Sequence, residues 1–529
     1  MRGLQEGLKA LSSARLQGMR RGVEKESLRV TAAGELAQTP HPAALGSALT
    51  HPNITTDFSE AQLELITGVH PSAEACEAEL TEVHQFTYRA LSDERMWVSS
   101  MPPTLPPDDQ IPLGRYGSSN VGRAKTVYRT GLGWRYGRRM QTISGIHYNW
   151  SLPDVSTVEY FGLIRNFRRH SFVLLYLLGA SPAVPASFVD GRVHALEPLA
   201  ADTVHMPNAT SLRMGRLGYQ SDAQTTLSVS YNSLDSYAAS LTDALQRPYP
   251  AYQKIGIRGP DGEYRQLNDS LLQIENEFYG TIRPKRVILP GERPIHALRD
   301  RGVEYIEVRC MDLDPFVPAG IAPSTMRLLD VFLLHCLLSD SPLDSPYEIA
   351  ELARNQQRVA AHGREPGLKL ERGGREVLMS DWMVEILSEC APIAAWLDTH
   401  EGGDRHARAL AAARAAITAP DTLPSARVLS EMKQRFGGSH EAFVRAHSDA
   451  TRSHMLALEL PPAIDARLRE AAAASLAEQA RIEAADTVPF EVYREQYLAS
   501  DRLRPPRGAN GTNGTNGASV AAAQGMVSP

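Results

Sequence analysis

The stretch Arg20-Arg21-Gly22-Val23-Glu24-Lys25-Glu26-Ser27-Leu28-Arg29-Val30 sets the tightest constraint on this chain. It reads as a β-strand, and the two-residue repeat of a strand puts Glu24 and Glu26 on one face. Two carboxylates side by side repel unless a cation lies between them, and hard divalent cations are what carboxylate oxygens bind best. An isolated pair of this kind also fits a solvated edge strand, so the metal reading depends on further ligands downstream.

Later extended segments supply them. Ile54 to Asp57 is followed by Ala61 to Thr67, in which Gln62 and Glu64 face away from Leu63 and Leu65. Gln141 to Leu152 reads as a strand with Ile146, Tyr148, Trp150 and Leu152 on the apolar side, and Gly145, His147, Asn149 and Ser151 on the other. Two more strands are expected at Leu272 to Tyr279 and Gly302 to Met311, the second setting Tyr305, Glu307 and Arg309 opposite Ile306, Val308 and Cys310. Glu24, Glu26, Asp57, Glu64, His147 and Glu307 thus form an oxygen-rich set with one imidazole, which suits Mg²⁺, or alternatively Mn²⁺, over zinc or copper. Mg²⁺ commonly shares its shell with substrate phosphates, and Arg213, Arg309 and the run Arg283-Pro284-Lys285-Arg286 offer charge to neutralise them. That run reads equally well as a charged turn held by Pro284.

The spacing predicts helices at Pro71 to Glu94, Ala124 to Met140 and Val158 to Leu178, and beyond Pro323 a succession of them: Met326 to Leu338, Pro346 to His362, Asp381 to His400, Asp404 to Ile417 and Ala463 to Ala485. The class is therefore α+β, sheet-rich to about residue 322 and helical from about 323 to 505. Residues 1–505 are expected to act as one catalytic unit, and 506–529, rich in Gly, Asn and Thr, as a disordered tail.

Other chemistries are excluded by what is missing. The sequence has no G-x-x-x-x-G-K-[ST] loop and no strand-linked G-x-G-x-x-G, and His440-Glu441 lacks a histidine at the zinc-protease spacing. Lys+Arg 55 against Asp+Glu 61 leaves a net charge of -6, so no basic field points to nucleic acid. The longest apolar run, Phe172 to Leu178, is too short to span a membrane. Four scattered cysteines with no C-x-x-C pair, and an N-terminal segment without the apolar core of a signal peptide, lead to the expectation of a cytoplasmic protein.

Several runs also carry a resemblance. Arg21 to Val30, Ile54 to Phe58, Gln62-Leu63-Glu64, Gln141 to Asn149, Leu272 to Glu277, Ile282 to Arg286 and Tyr305 to Arg309 resemble, in order, the proteobacterial glutamate-cysteine ligase (γ-glutamylcysteine synthetase) family. The resemblance implies a glutamine-synthetase-like fold, with a curved, mostly antiparallel sheet carrying the site. It also implies ATP-dependent joining of the L-glutamate γ-carboxylate to the L-cysteine amine through a γ-glutamyl phosphate, the first step of glutathione synthesis. Carried over residue by residue, Glu24, Glu26, Asp57, Glu64, His147 and Glu307 fall at metal-binding or adjacent cysteine-binding positions, with Asp57 and Glu64 also taken as substrate-binding. Tyr128, Arg213, Tyr219 and Tyr279 line those pockets, and Arg213 pairs with a substrate carboxylate. Arg309 and Glu307 are taken as catalytic, and Arg283, Lys285, Arg286 and Arg309 as contacts to nucleotide phosphates. The alternatives are a ligase using another acceptor amine, a metal-dependent hydrolase built on His147, and a non-catalytic scaffold.

Overall fold

The computed structural model describes residues 2–218, 222–225, 227–289 and 291–503. Its longest strand is β1 (Arg20–Val30), and six more strands assemble around it: β2 (Ile54–Thr56), β3 (Gln62–Ile66), β4 (Arg95–Met96), β5 (Ile146–Ser151), β6 (Ile282–Lys285) and β7 (Tyr305–Met311). The spatial order is β2-β3-β1-β5-β7-β6, with β4 pairing beside Arg29 and Val30, and every ladder is antiparallel. Alternation decides the faces. Val23, Leu63, Leu65, Tyr148, Trp150, Ile306 and Val308 point into one apolar core, which leaves the opposite face to the charged residues between them.

Helices cover the apolar face: α1 (Ala73–Ala90), α3 (Thr157–His170) and α4 (Pro323–Leu338) pack together there, while α2 (Asn120–Tyr136) belongs to a second core cluster beside the polar face. A capping box at Ser156 and Glu159 starts α3. Gly137, at φ 83°, lets the chain leave α2 in a conformation that disfavours a side chain. One buried network fastens sheet to helix: Arg21 of β1 pairs with Asp330 of α4 at 2.9 Å, and the Tyr148 hydroxyl of β5 donates to the same carboxylate at 2.7 Å. Among the described residues no helix is long and apolar enough to cross a membrane.

The α+β class, the antiparallel sheet and the helical C-terminal half stand as the sequence predicts, with local differences that include the following. Residues 272–279 form no strand but an irregular segment with a 3-10 turn at Glu275–Glu277. Their alternating glutamates are satisfied locally: Glu277 accepts from the Gln273 backbone N–H, Arg135 and Tyr136, and Glu275 pairs with Arg293, so no ladder is needed. The strand expected from Gln141 starts only at Ile146, because Arg138–Gln141 forms a further helical turn. The Arg283 cluster is edge strand β6 rather than a turn, a place where a proline is tolerated. The helix expected over 158–178 breaks at Ser171 into α3 and Phe172–Leu178.

Candidate active site

Strand register assembles the charged face. Glu24 of β1 lies opposite His147 of β5, Glu26 opposite Glu64 of β3, and Glu307 of β7 opposite Asn149 of β5. Directly opposed side chains on one face touch, so three pairings place five chemistry-bearing residues on one patch. His147 is its hub. Its Nδ1 lies 3.1 Å from Glu24 Oε2 and 3.9 Å from Glu307 Oε1, and its Nε2 lies 3.8 Å from Glu26 Oε1. Asn149 donates to the other Glu24 oxygen at 2.8 Å.

The donor set fits a divalent cation. One donor atom each from Glu24, His147 and Glu307 lie within 4.8 Å of one another, and so do those from Glu26, Glu64 and His147. His147 is 3% exposed, yet its Nε2 has no hydrogen-bond partner among the described residues. With Nδ1–H donated to Glu24, the Nε2 lone pair faces Glu26, the arrangement in which a carboxylate orients a metal-binding imidazole.

Electrostatics divide the carboxylates into two kinds. Burial pushes Glu26 up to about 8, with Asp57 adding and Arg213 and Arg309 opposing. Burial, then Glu24, Asp57 and Glu26, hold Glu64 well above the carboxylate range. Glu307 feels burial too, but Arg309, Lys285 and His147 outweigh it and hold it well below that range. Glu24, half-buried, is raised by desolvation but lowered overall by its hydrogen bond to His147. Burial and then Arg309 lower His147, which keeps the imidazole neutral and able to ligate. Glu26 and Glu64 are thus the pair whose repulsion a bound cation would relieve.

Cations crowd the Glu307 side. Lys285 Nζ is 3.2 Å from Glu307 Oε1, and Arg309 Nη1 is 2.9 Å from Oε2. A bulge in the β7–β5 ladder between Val308 and Met311 admits the extra residue beside Arg309, and bulges re-aim side chains in this way. Arg283, opposite Glu307 on β6, donates to the Asn276 and Phe278 carbonyls and anchors the segment above. Arg213 crosses the floor, giving a hydrogen bond to the Arg309 carbonyl at 2.9 Å, where a Cβ on Gly145 would lie 2.0 Å from its Nη2. Arg286 turns away, bonding the Arg301 carbonyl and pairing with Glu304 at 3.6 Å. Tyr219 lies outside the described residues.

Beside the metal-fitting patch lies a cleft open to solvent, with Glu26, Asp57 and Arg309 at its charged end and Tyr128 and Tyr279 on its walls. Sequence reasoning named all five but missed seven other lining residues, among them Phe58, Arg129, Leu132 and Gln141. Gln141 was legible only as the start of a strand; in the structure its amide donates to the Tyr279 hydroxyl at 2.7 Å. Arg129 sits one helical turn after Lys125 on α2, only 7% exposed, with its guanidinium 4.5 Å from the Tyr116 ring and donating to the Asp57 and Lys125 carbonyls, and no ion pair to a carboxylate is seen for it among the described residues. A smaller cavity next to β6, lined by Tyr237, Asn276, Arg283, Lys285 and Ile295, shares Asn276 with the cleft.

Comparisons with known proteins agree with this geometry. The family model described as glutamate-cysteine ligase matches residues 6–359. The chain is 46% identical to a glutamate–cysteine ligase of Alcanivorax borkumensis, covering 93% of this chain and 98% of the relative, and 48% identical to one of Azotobacter vinelandii, covering 90% and 94%. It also superposes on the crystal structure of the Francisella tularensis glutamate–cysteine ligase in complex with AMP, with a TM-score of 0.87 and 37% identity, over 92% of this chain and 98% of that one. Seven ordered motifs, the sheet that carries most of them and these likenesses lead to one statement: the chain belongs to the glutamate–cysteine ligase family.

Proposed function

We propose that, in the ATP-dependent ligation of glutamate to cysteine carried out by this family, the charged face of the sheet holds Mg²⁺ through Glu24, Glu26, Glu64, His147 and Glu307, with Asp57 at its edge. The observation that carries this is the shared His147, whose buried Nε2, with no hydrogen-bond partner among the described residues, faces Glu26 beside two carboxylates raised by burial and by neighbouring carboxylates. Bound there, Mg²⁺, or Mn²⁺ in its place, would align the triphosphate and neutralise its charge.

The protein's own groups do the rest. Arg213 holds the glutamate α-carboxylate, so that the γ-carboxylate points toward the carboxylate patch. One γ-oxygen attacks the terminal phosphorus of ATP, ADP leaves, and the acyl phosphate that forms is open to an amine. Arg309, with Lys285 behind it, faces the phosphoryl group in transfer and spreads its charge, while Glu307 fixes both cations by the two bonds described above. The nucleoside occupies the smaller cavity beside β6, reached past Arg283 and Lys285; Arg286, turned toward Glu304, contributes only through the local field.

The acceptor lies in the larger cleft. Phe58 and Leu132 supply an apolar wall for a thiol side chain, Tyr128 and Tyr279 close it, and the Arg129 guanidinium, whose charge has no carboxylate partner among the described residues, takes the acceptor's carboxylate. The amine displaces phosphate and the amide forms; walls that exclude water protect the acyl phosphate from hydrolysis. The helical residues from about 323 to 505 serve as scaffold, and four free, buried cysteines fit a reducing cytoplasm.

Phosphate release from Mg-ATP, measured with L-glutamate alone, L-cysteine alone and both, tests the reading. Full release is expected only with both amino acids, with γ-glutamylcysteine as product, and Glu26→Gln is expected to lower it at least a hundredfold. Arg129→Met is expected to raise KM for cysteine tenfold or more and leave KM for glutamate within a factor of three. ATP untouched under every condition would remove the ligase reading; glutamate-dependent release unaffected by cysteine would reassign the acceptor.

A further inference from the structure

Away from the charged face, three helix ends converge on a second cluster of ligating side chains. His170 is the last residue of α3, His335 and Cys336 lie in the last turns of α4, and Glu389 ends helix α5 (Met379–Glu389). One donor atom each from His170, His335 and Cys336 lie within 4.8 Å of one another, and His335 and Cys336 are 0% exposed. The two imidazole rings are 5.5 Å apart between centroids, and Trp382 stands edge-on to His170 at 6.4 Å.

The hydrogen bonding of the two rings is incomplete in the same way. His335 Nε2 lies 2.9 Å from Glu389 Oε2, but its Nδ1, like that of His170, is buried with no hydrogen-bond partner among the described residues. A carboxylate on Nε2 fixes the tautomer and leaves a lone pair on Nδ1, as it does for metal-ligating histidines. Buried lone pairs without a partner are rare because they forfeit the hydrogen bonds water would give.

We propose that His170, His335 and Cys336 form a second metal site, distinct from the Mg²⁺ face, that takes a zinc-class ion, with Glu389 orienting His335. Two imidazoles and a thiolate select Zn²⁺ or its spectroscopic substitute Co²⁺ over Mg²⁺, which prefers oxygen. Donors around a tetrahedral zinc stand about 3.5 Å apart, so closing the trio requires side-chain shifts of about 1 Å. The ion replaces the Cys336 proton, which passes to solvent. The bound site ties the end of α4 to α3 and α5, and α4 carries the Asp330 that grips Arg21 behind β1.

Co²⁺ titration of the full-length enzyme, kept reduced by a phosphine, tests the site, because thiolate-to-cobalt charge-transfer absorption requires a cysteine ligand and the donor groups on the Mg²⁺ face contain none. The band is expected to saturate at one equivalent per chain in the wild type and equally in Glu26→Gln, to be displaced by Zn²⁺, and to vanish in Cys336→Ala while Mg-ATP-dependent turnover persists. Should Cys336→Ala not fold, His170→Gln, at a half-buried position, is expected to weaken Co²⁺ binding at least tenfold. An active wild type with no thiolate band, a band undiminished in a folded Cys336→Ala, or binding unchanged in His170→Gln overturns the site. The outcome is independent of whether the acceptor of the ligase reaction is cysteine.

Discussion

A Cβ placed on Gly145 would collide with the Arg213 guanidinium, and the Gly145 amide donates to Glu26 at 2.6 Å, so this residue sets both the carboxylate holder and one metal-fitting carboxylate. Gly145→Ala is expected to raise KM for glutamate tenfold or more with a cooperative thermal transition retained, which steady-state kinetics beside calorimetry would check. Lys25 occupies the opposite face of the same strand, 1% exposed, with its Nζ 2.7 Å from His84 Nε2. Burial lowers its pKa from 10.5 to about 7. Between those values the unfolded chain binds the proton and the native state does not, so the contribution of Lys25 to stability rises with pH from 7 to 10.5 and is lost as pH falls to 7. Chemical denaturation of wild type and Lys25→Met is expected to show the wild type gaining on the variant with a slope of up to about 1.4 kcal/mol per pH unit between pH 7 and 9. A flat difference would mean that Lys25 stays charged. At this scale the sequence was informative wherever alternation carried the message: Glu24, Glu26, Glu64, His147 and Glu307 all emerge on one face as expected. Arg129 and Phe58 did not, because they enter the cleft from a helix and a loop whose position only tertiary packing decides.

Among elements, α4 is fastened to the sheet by charge as well as by its apolar face. The Arg21–Asp330 pair joining it to β1 is 1% exposed on both sides, and breaking a pair so buried leaves a charge without its partner. Asp330→Asn is expected to lose about 3–5 kcal/mol in urea denaturation, and pairing it with Arg21→Met to recover part of that loss. Full additivity of the two changes would show that the residues do not act as a pair. The elements that sequence periodicity misplaced share a cause. In 272–279 the alternation is genuine, but Glu275 pairs with Arg293 and Glu277 with Arg135, partners that tertiary packing brings beside the segment, and ladder bonds are not formed. Pro284 suggested a turn, whereas an edge position lets β6 carry it and bring Lys285 to Glu307. The hairpin Lys369–Arg372 and Arg375–Leu378 went unread because its strands are short and polar, with Gly373-Gly374 as the only mark.

For the whole molecule, the division between a sheet-rich part and a helical part is clear in composition, yet the energetics argue against two independent units. Every residue lining the cleft precedes residue 310, which invites the idea that a shorter chain could work alone. The core says otherwise. Met326, Leu329, Val331, Phe332, Leu333 and Leu334 of α4 are at most 1% exposed within the cluster that includes Val23, Leu65, Tyr148 and Ile306 from the sheet. Burying six such side chains contributes about 9–18 kcal/mol, as much as or more than the net stability of a typical domain. A fragment of residues 1–322 would expose that sheet face and leave Arg21 facing solvent-filled space where Asp330 stood. It is expected to show no cooperative unfolding transition by circular dichroism and no binding of Mg-ATP by calorimetry, while residues 1–503 retain both. A fragment that melts cooperatively and binds nucleotide would show that the helical half is an appended unit. Failure of the fragment would mean that the carboxylates of β1 owe their alignment to helices more than 300 residues further along the chain.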